Sequence, residues 1–309
     1  MMSARPAGPS DPVTSSAPSG ARLWALGARP RTLPASLAPV VVGTAAAVGD
    51  GRLVWWRAVA AGVVSLALQI GTNYANDYSD GVRGTDAVRV GPIRLVGSGL
   101  ARPASVKRAA IAAFAVSAVA GATLALATSP WLFAVGAAAI AAGWFYTGGP
   151  RPYGYLGLGL GELFVFVFFG LVATAGSTFV QHQHVTLRSL LAGTTMGCLS
   201  CSLLVVNNLR DIPTDTASGK RTLAVRLGDA RTRRFYLALV VAGFASAAAS
   251  ALTHRPWALL ALLAVPVAMT PVRTVLGGAR GPALIPVLGG TGRLTLAVGL
   301  GLAVGFALG

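Results

Sequence analysis

The strongest constraint on this chain is a series of long apolar runs separated by short polar segments. The runs cover residues 33–49, 55–76, 106–128, 131–147, 157–179, 187–209, 235–253, 257–275 and 288–308. A helix needs about 20 apolar residues to cross a bilayer. Because 54% of the 309 residues are hydrophobic and only 11% are charged, a soluble domain could not bury the apolar surface. The sequence therefore predicts an all-α polytopic membrane bundle of about nine transmembrane helices.

The N-terminal segment differs in composition from the rest of the chain. Residues 1–20 are rich in Ser, Pro, Ala and Gly and contain no apolar core, which is typical of disorder. They also lack the charged start and apolar stretch of a signal peptide. We therefore expect a disordered tail over residues 1–20, followed by a single transmembrane domain over residues 21–309.

The basic residues indicate how the bundle is oriented. With nine spans and a cytoplasmic N-terminus, all but four of the 25 Lys and Arg residues fall on the cytoplasmic side. The four on the opposite side are Arg52, Arg57, Arg188 and Arg255. Cytoplasmic loops carry such an excess of positive charge, which explains the net charge of +16 without nucleic-acid binding. We expect a multi-pass protein of the cell membrane with a cytoplasmic N-terminus and a functional site on that face.

Five of the nine acidic residues lie in two short segments. Asp77, Asp80 and Asp86 follow the second apolar run, and Asp211 and Asp215 follow the sixth. With an even number of spans before each segment, both segments lie at the same membrane face. Uniform scatter would not concentrate the acidic residues in this way, so these segments are the candidate functional site.

The spacing in the first segment predicts one polar helix face. If the second helix continues to Asp80, then Asn73, Asp77 and Asp80 share a face through the three- and four-residue spacing. We expect Gly81 and Gly84 to break this helix.

The second segment shows a related spacing. Asn207 and Asp211 are one helical turn apart. Pro213 disfavours helix at Ile212, which predicts that Asp215 sits beyond a kink.

Carboxylates packed together near the hydrocarbon edge need a neutralising partner. Their burial is unfavourable, and Mg²⁺ is a suitable counter-ion because it bridges one or two carboxylates to substrate phosphates. The nearby cations that suit a diphosphate are Arg83, Arg89, Arg94, Arg210, Lys220 and Arg221. The residues therefore predict a diphosphate–Mg²⁺ site. Two alternatives are polar loop ends that form internal salt bridges, and a cation-coupled transporter, since acids in membranes also mark ion pathways.

The two acidic motifs, Asn-Asp-x-x-Asp at residues 76–80 and Asp-x-x-x-Asp at residues 211–215, resemble those of the UbiA superfamily of intramembrane prenyltransferases. Further stretches resemble its 1,4-dihydroxy-2-naphthoate polyprenyltransferase branch, which serves menaquinone synthesis. They lie at residues 29–35, 91–96, 146–150, 153–157, 161–162 and 219–228. The resemblance runs from about residue 29 to residue 228, and beyond it only the hydropathy agrees.

The resemblance implies transfer of a polyprenyl group from its diphosphate to an aromatic acid, with loss of CO₂ and diphosphate. It implies Mg²⁺ bound by the five clustered aspartates, and diphosphate handling by Lys220 and Arg221. The implied catalytic residues are Asp77, Asp80, Asp211, Asp215 and Lys220, and the implied metal ligands are Asp77, Asp80, Asp86, Asp211 and Asp215. The implied partners are the polyprenyl diphosphate, the aromatic acceptor and membrane lipid. Alternative acceptors are 4-hydroxybenzoate, homogentisate and a sugar phosphate.

Further polar and aromatic residues are candidates for substrate binding. They are Asn73, Asn76, Arg83, Arg94, Tyr146, Tyr153, Glu162, Asn207, Asn208, Arg210 and Arg221. Glu162 is the one acid inside the fifth apolar run, so we expect it to orient the acceptor or to help deprotonate it. Tyr155 is a further candidate contact, with interfacial anchoring as the alternative. A lipid-facing groove for the isoprenoid would be lined by Phe164, Phe166, Phe168 and Phe169, for which ordinary packing is the alternative.

Overall fold

The computed structural model describes residues 20–85 and 93–308, and this part of the chain is helical with no β-strand. The helices are α1 (Gly20–Gly27), α2 (Leu33–Gly49), α3 (Trp55–Arg83), α4 (Pro103–Ala127), α5 (Trp131–Phe145), α6 (Leu160–His182), α7 (Leu187–Ala217), α8 (Leu223–Ala249), α9 (Pro256–Leu276) and α10 (Gly281–Leu308). The all-α prediction is confirmed. The predicted disordered tail, apart from Gly20, lies outside the described residues.

Each of the nine predicted apolar runs falls on one of the helices α2 to α10. Seven helices, α3, α4 and α6 to α10, are long and apolar enough to cross a membrane. The apolar parts of α2 and α5 are shorter, at Ala35–Gly49 and Trp131–Phe145. The chain is thus an integral, multi-pass membrane protein, while the count of nine spans and the orientation stay predictions.

Helix α3 extends beyond its apolar run and includes Asp77 and Asp80 of the first acidic segment. It continues to Arg83 and ends where Gly84 adopts a left-handed conformation with φ of 73°. The expectation that Gly81 breaks the helix was wrong, because Gly81 lies within it. A Cβ atom at Gly81 would lie 2.4 Å from the Val96 side chain. The glycine therefore serves a close approach between α3 and the following loop, not a helix end.

Helix α7 carries the second acidic segment. The helix continues through Ile212 and Pro213 to Ala217, so the expectation that helix is disfavoured at Ile212 was wrong. Pro213 is exposed, and the packing of this long helix outweighs the local preference of a single residue. Asp211 and Asp215 consequently project from one continuous helix.

Glycines allow close helix contacts in the middle of the bundle. A Cβ atom at Gly170 in α6 would lie 2.4 Å from Cα of Gly197 in α7, and one at Gly43 in α2 would lie 2.0 Å from the carbonyl oxygen of Thr174. Small residues at such contacts are typical of helices that associate in lipid. Residues Phe166–Val172 of α6 form a π-helical stretch that includes Gly170.

Gly170→Ala is expected to lower the free energy of unfolding by about 1–3 kcal/mol, because the added methyl group has no space against α7. Thermal unfolding of the detergent-purified protein measures this change. Gly176→Ala is the matched control in the same helix, since nothing lies within 4 Å of a Cβ atom there. Equal melting temperatures for the two variants would contradict the packing argument.

Arginines close the end of the bundle opposite the acidic segments. Arg57 donates to the carbonyl oxygen of Val180 at 2.9 Å. Arg188 and Arg255 pair with Asp50 at 2.6 Å and 3.4 Å. Three of the four basic residues on this side thus bind a backbone carbonyl group at a helix end or the Asp50 carboxylate. These contacts explain why they lie on the side that carries few basic residues.

Candidate active site

The two acidic segments meet around the side chain of Asp80. The Lys220 Nζ atom lies 3.5 Å from Asp80 Oδ1, and Arg94 Nη2 lies 3.7 Å from Asp80 Oδ2. Lys220 follows α7, and its backbone N–H donates to the carbonyl oxygen of Asp215 at 2.9 Å. Asp80 is only 3% exposed. The structure therefore joins α3, the loop after it and the end of α7 in one buried group of charges.

Tyr155 completes this group, which we call the polar centre and define as Asp80, Arg94, Tyr155 and Lys220. The Tyr155 hydroxyl donates to Asp80 Oδ1, and the ring centroid lies 4.8 Å from Lys220 Nζ. Burial, together with the charge of Asp80, raises the pKa of the Tyr155 phenol. The phenol therefore stays protonated at neutral pH and acts as a hydrogen-bond donor to the carboxylate.

The loop between α5 and α6 is held against the segment that follows α7. Leu156 and Arg221 form an isolated parallel β-bridge, and Arg226 donates to the carbonyl oxygen of Gly157 at 3.3 Å. Gly157 has φ of 67°, and a Cβ atom there would lie 3.0 Å from the Arg221 carbonyl oxygen. These contacts place Tyr155 beside Lys220. The Arg221 side chain itself is exposed, outside the polar centre.

Arg210 and Asp211 form a buried ion pair on α7. Arg210 Nε and Nη2 lie 2.6 Å and 2.7 Å from the two oxygens of Asp211, and Nη2 also donates to Asn207 Oδ1 at 3.0 Å. Arg210 is 3% exposed, yet its Nη1 atom has no hydrogen-bond partner among residues 20–85 and 93–308. Buried donors are nearly always satisfied, so this nitrogen is suited to a bound anionic group.

Glu162 connects α6 to α7 through Asn208. Asn208 Nδ2 donates to Glu162 Oε1 at 3.3 Å, and both residues are buried. Tyr146 lies close by, since a Cβ atom at Gly161 would meet its ring at 3.0 Å. Glu162, Asn208 and Tyr146, all predicted to bind substrate, are thus neighbours. Asp215 is near enough to Tyr146 and Tyr155 to influence both phenols electrostatically.

Aromatic rings continue in a row from this region along α6. Tyr146 and Tyr153 have ring centroids 5.6 Å apart, Tyr153 and Phe164 are 4.6 Å apart, and Phe164 and Phe168 are 5.9 Å apart. Burial raises the pKa of both tyrosines, and the Tyr153 hydroxyl donates to the Ala142 carbonyl oxygen. The row thus leads from Tyr146 to the apolar rings of Phe164 and Phe168 on α6. Phe166 instead faces Gly197 in the α6–α7 contact.

Other predicted site residues support neighbouring segments. Asn73 donates to the Ala28 carbonyl oxygen at 2.9 Å, which fixes the segment before α2. Asn76 accepts from the Thr147 hydroxyl at 2.8 Å, and Arg83 donates to the carbonyl oxygens of Thr147 and Gly149. Asp77 accepts from two backbone N–H groups of the loop after α3. Asp86 lies outside the described residues.

The oxygen ligands at this end of the bundle suit a hard cation that is shared with a substrate. Within the part of the chain that the structure describes, no group of three His, Cys, Asp or Glu side chains is close enough to hold a metal ion alone. Mg²⁺ characteristically takes one or two carboxylates and completes its coordination with water and substrate phosphates. The separate carboxylates Asp80, Asp211 and Asp215 fit that mode of binding.

A sequence profile of the UbiA prenyltransferase family matches residues 36–283. The chain belongs to the UbiA prenyltransferase family. It is 53% identical over 287 residues to the 1,4-dihydroxy-2-naphthoate octaprenyltransferase of Mycobacterium tuberculosis, covering 93% of this chain and 97% of the relative. It is 36% identical over 281 residues to the enzyme of the same name from Escherichia coli, covering 86% and 88%.

The fold of this UbiA-family prenyltransferase is similar to that of solved relatives. A UbiA homolog from Archaeoglobus fulgidus, bound to DMAPP and Mg²⁺, superposes with a TM-score of 0.66 at 16% identity. The comparison covers 91% of this chain and 99% of that chain. The predicted family membership, membrane fold and enzyme class are confirmed.

Two contacts in the site of this UbiA-family enzyme could not be predicted from the sequence, although their residues lie in the stretches 91–96 and 146–150 that resemble the family. Thr147, which donates to Asn76 and accepts from Arg83, lies in a turn without an acidic motif. The backbone N–H groups of Leu95 and Val96 bind Asp77, a contact that depends on the path of the loop. Only tertiary structure brings these groups to the helix α3.

Tyr155→Phe is expected to lower kcat/KM for prenyl transfer about 10- to 100-fold, because a hydrogen bond to a charged group contributes about 1.5–3 kcal/mol. Steady-state kinetics with a prenyl diphosphate measure the loss. Tyr74→Phe is the control, since the Tyr74 hydroxyl donates to the Trp24 carbonyl oxygen away from the polar centre. Wild-type kinetics for Tyr155→Phe would show that the hydroxyl does not position Asp80.

Proposed function

We propose that this chain transfers a polyprenyl group from polyprenyl diphosphate to 1,4-dihydroxy-2-naphthoate, with loss of CO₂ and diphosphate, in menaquinone synthesis. The observation that carries the proposal is the polar centre, where cations and a buried carboxylate converge at one end of an apolar bundle. The names of relatives at 53% and 36% identity supply the acceptor.

The diphosphate would bind at the polar centre. Lys220 and Arg94 provide the buried positive charge, and Asp80, Asp211 and Asp215 would hold Mg²⁺ together with diphosphate oxygens. When bound, the ion supplies positive charge that stabilises the leaving group. A homolog structure that contains both DMAPP and Mg²⁺ supports this dependence on a divalent cation.

In the reaction, one bond is broken and one is formed at the prenyl carbon, and the ring carbon gains the prenyl group and loses the carboxylate. The bond between the prenyl carbon and the diphosphate oxygen breaks, and that electron pair leaves with diphosphate. The ring carbon that carries the carboxylate forms the new carbon–carbon bond. The bond to the carboxylate then breaks, and its electron pair restores the aromatic ring as CO₂ departs.

The acceptor would lie between the polar centre and α7. Arg210 Nη1 is a buried donor that suits an anionic group. Glu162, held by Asn208, would accept a hydrogen bond from a ring hydroxyl and so orient the naphthoate. Tyr146 would pack beside the same ring.

The isoprenoid chain would follow the aromatic row along α6. The rings of Tyr153 and Phe164 are tilted against each other, and those of Phe164 and Phe168 are stacked. An apolar wall excludes water from the reacting carbon, which prevents hydrolysis of an allylic cation. The same rings remove the isoprenoid tail from the aqueous phase.

We infer that this site faces the cytoplasm and that the protein lies in the cell membrane. The helix ends that carry both acidic segments also carry most of the basic residues. Cytoplasmic loops are the positively charged ones. The diphosphate substrate would then reach the site from the side on which soluble phosphorylated metabolites occur.

Product identification tests the proposal directly. Purified protein in detergent is incubated with a long-chain prenyl diphosphate, Mg²⁺ and either 1,4-dihydroxy-2-naphthoate or 4-hydroxybenzoate, and the products are analysed by mass spectrometry. We expect a prenylated, decarboxylated naphthoquinol that disappears when EDTA is added. If a product forms with 4-hydroxybenzoate alone, the acceptor is 4-hydroxybenzoate and not the naphthoate. If folded protein forms a product with neither acceptor, the proposed reaction is refuted.

A further inference from the structure

We propose that Asp77 is a positioning residue that anchors the loop carrying Arg94, rather than a ligand of the metal ion. This inference rests on the proposed function for the role of Arg94 at the diphosphate. It assigns different roles to the two neighbouring aspartates of the first motif. Asp80 faces the substrate, whereas Asp77 fixes the shape of the site.

Both oxygens of Asp77 bind the backbone of the loop. Oδ2 accepts from the N–H group of Leu95 at 2.8 Å, and Oδ1 accepts from that of Val96 at 3.0 Å. The Asp77 carboxylate is fully buried. A carboxylate that accepts two adjacent backbone N–H groups clamps the loop at the residue directly after Arg94.

The rest of the loop is seated around this clamp. Leu95 is fully buried and lies so close to α1 that a Cβ atom at Gly27 would be 2.6 Å from its side chain. Val96 makes the close contact with Gly81 in α3. The Leu95 carbonyl oxygen accepts from Ala101. The loop is therefore held from both sides, and these contacts fix the backbone from which the Arg94 side chain reaches Asp80.

The partners of the two aspartates differ in a way that matters for ligand binding. Asp80 is approached by the side chains of Arg94, Tyr155 and Lys220, which can move to a substrate anion. In Asp77, by contrast, each carboxylate oxygen accepts a backbone N–H group of the loop. If Asp77 turned towards a metal ion, the buried N–H group of Leu95 and the partly buried N–H group of Val96 would lose their acceptor, which is unfavourable for the fold.

The amide protons of Leu95 and Val96 give a readout that does not require catalysis. Hydrogen–deuterium exchange of the 93–101 peptide is compared in detergent for wild type, Asp77→Asn and Asp80→Asn. The asparagine side chain keeps one acceptor oxygen and places an amide donor against the other N–H group. We expect exchange in Asp77→Asn to be at least about 10-fold faster, because losing one hydrogen bond of about 1.4 kcal/mol changes an equilibrium tenfold. Exchange in Asp80→Asn should remain as in wild type.

Kinetics then distinguish anchoring from metal binding. Asp77→Asn should raise the KM for prenyl diphosphate as much as Arg94→Ala does, and the double variant should be no worse than either single variant. Its half-saturating Mg²⁺ concentration should match wild type, whereas that of Asp80→Asn should rise.

The proposal would be overturned if hydrogen–deuterium exchange of the loop in Asp77→Asn were the same as in wild type. It would also be overturned if calorimetry without substrate showed that Asp77→Asn lowers the affinity for Mn²⁺ as much as Asp80→Asn does. Because exchange is measured without turnover, it decides the proposal even if the proposed acceptor is wrong. If Asp77→Asn does not fold, Arg94→Ala provides a second test. This variant should raise the KM for prenyl diphosphate and leave hydrogen–deuterium exchange of the loop unchanged. A KM equal to that of wild type would refute the role of Arg94.

Discussion

Asp80→Asn is expected to lower kcat/KM for prenyl transfer by about 10³-fold and to raise the half-saturating Mg²⁺ concentration. The substitution removes the negative charge on which Arg94, Tyr155 and Lys220 converge. Loss of one preorganised electrostatic group in an active site typically reduces the rate about 10²- to 10³-fold, and lost metal affinity adds to this effect. Initial rates over a Mg²⁺ titration measure both quantities.

The control for this prediction is Asp229→Asn on α8. Asp229 pairs with Arg233 at 2.6 Å and with Arg280 at 3.8 Å, and neither arginine belongs to the polar centre. The variant should lose stability through that ion pair but keep the wild-type Mg²⁺ dependence. Wild-type Mg²⁺ dependence in Asp80→Asn itself would contradict the assignment of this carboxylate to the metal.

Lys220→Ala is expected to lower kcat/KM about 10²- to 10³-fold, mainly through a higher barrier for departure of diphosphate. Lys220 is 7% exposed and lies 3.5 Å from Asp80. A buried cation acts on the charge that develops on the leaving group more strongly than it would in water. Steady-state rates with saturating prenyl diphosphate separate the effect on kcat from the effect on KM.

The chain provides a matched control for this variant in its other lysine. Lys107 also lies over a tyrosine ring, that of Tyr78 at 5.6 Å, but it is exposed on α4. Lys107→Ala should retain wild-type kinetics. Lys220→Arg should recover part of the activity because charge is kept while the geometry changes. Equal losses for Lys107→Ala and Lys220→Ala would indicate a general charge effect rather than a site.

Much of the fold was predictable because the membrane restricts the structures that a chain can adopt. In lipid every backbone group must be satisfied within a helix or a closed barrel, so each apolar run predicts a helix. The helix ends were less predictable. Gly81 was expected to break a helix, and Pro213 was expected to disfavour helix at Ile212. Both lie inside helices, because contacts along a long helix override the preference of one residue.

The composition of the candidate site was also predictable in part. Two acidic segments at one membrane face, with Lys220 between the second segment and α8, already indicated where chemistry occurs. The roles within the motif were not predictable. Spacing places Asp77 and Asp80 on one helix face, but it does not show that the loop after α3 binds one carboxylate and leaves the other beside Lys220.

The all-α membrane architecture, the two acidic segments and the family could thus be inferred from the residues alone, because apolar length and motif spacing are local properties. The partners of each carboxylate depend instead on packing: Tyr155 donates to Asp80, Arg210 pairs with Asp211, and backbone N–H groups donate to Asp77. These contacts join residues from loops and helices whose relative positions depend on packing. A carboxylate's role in this bundle follows from the groups that packing brings to it.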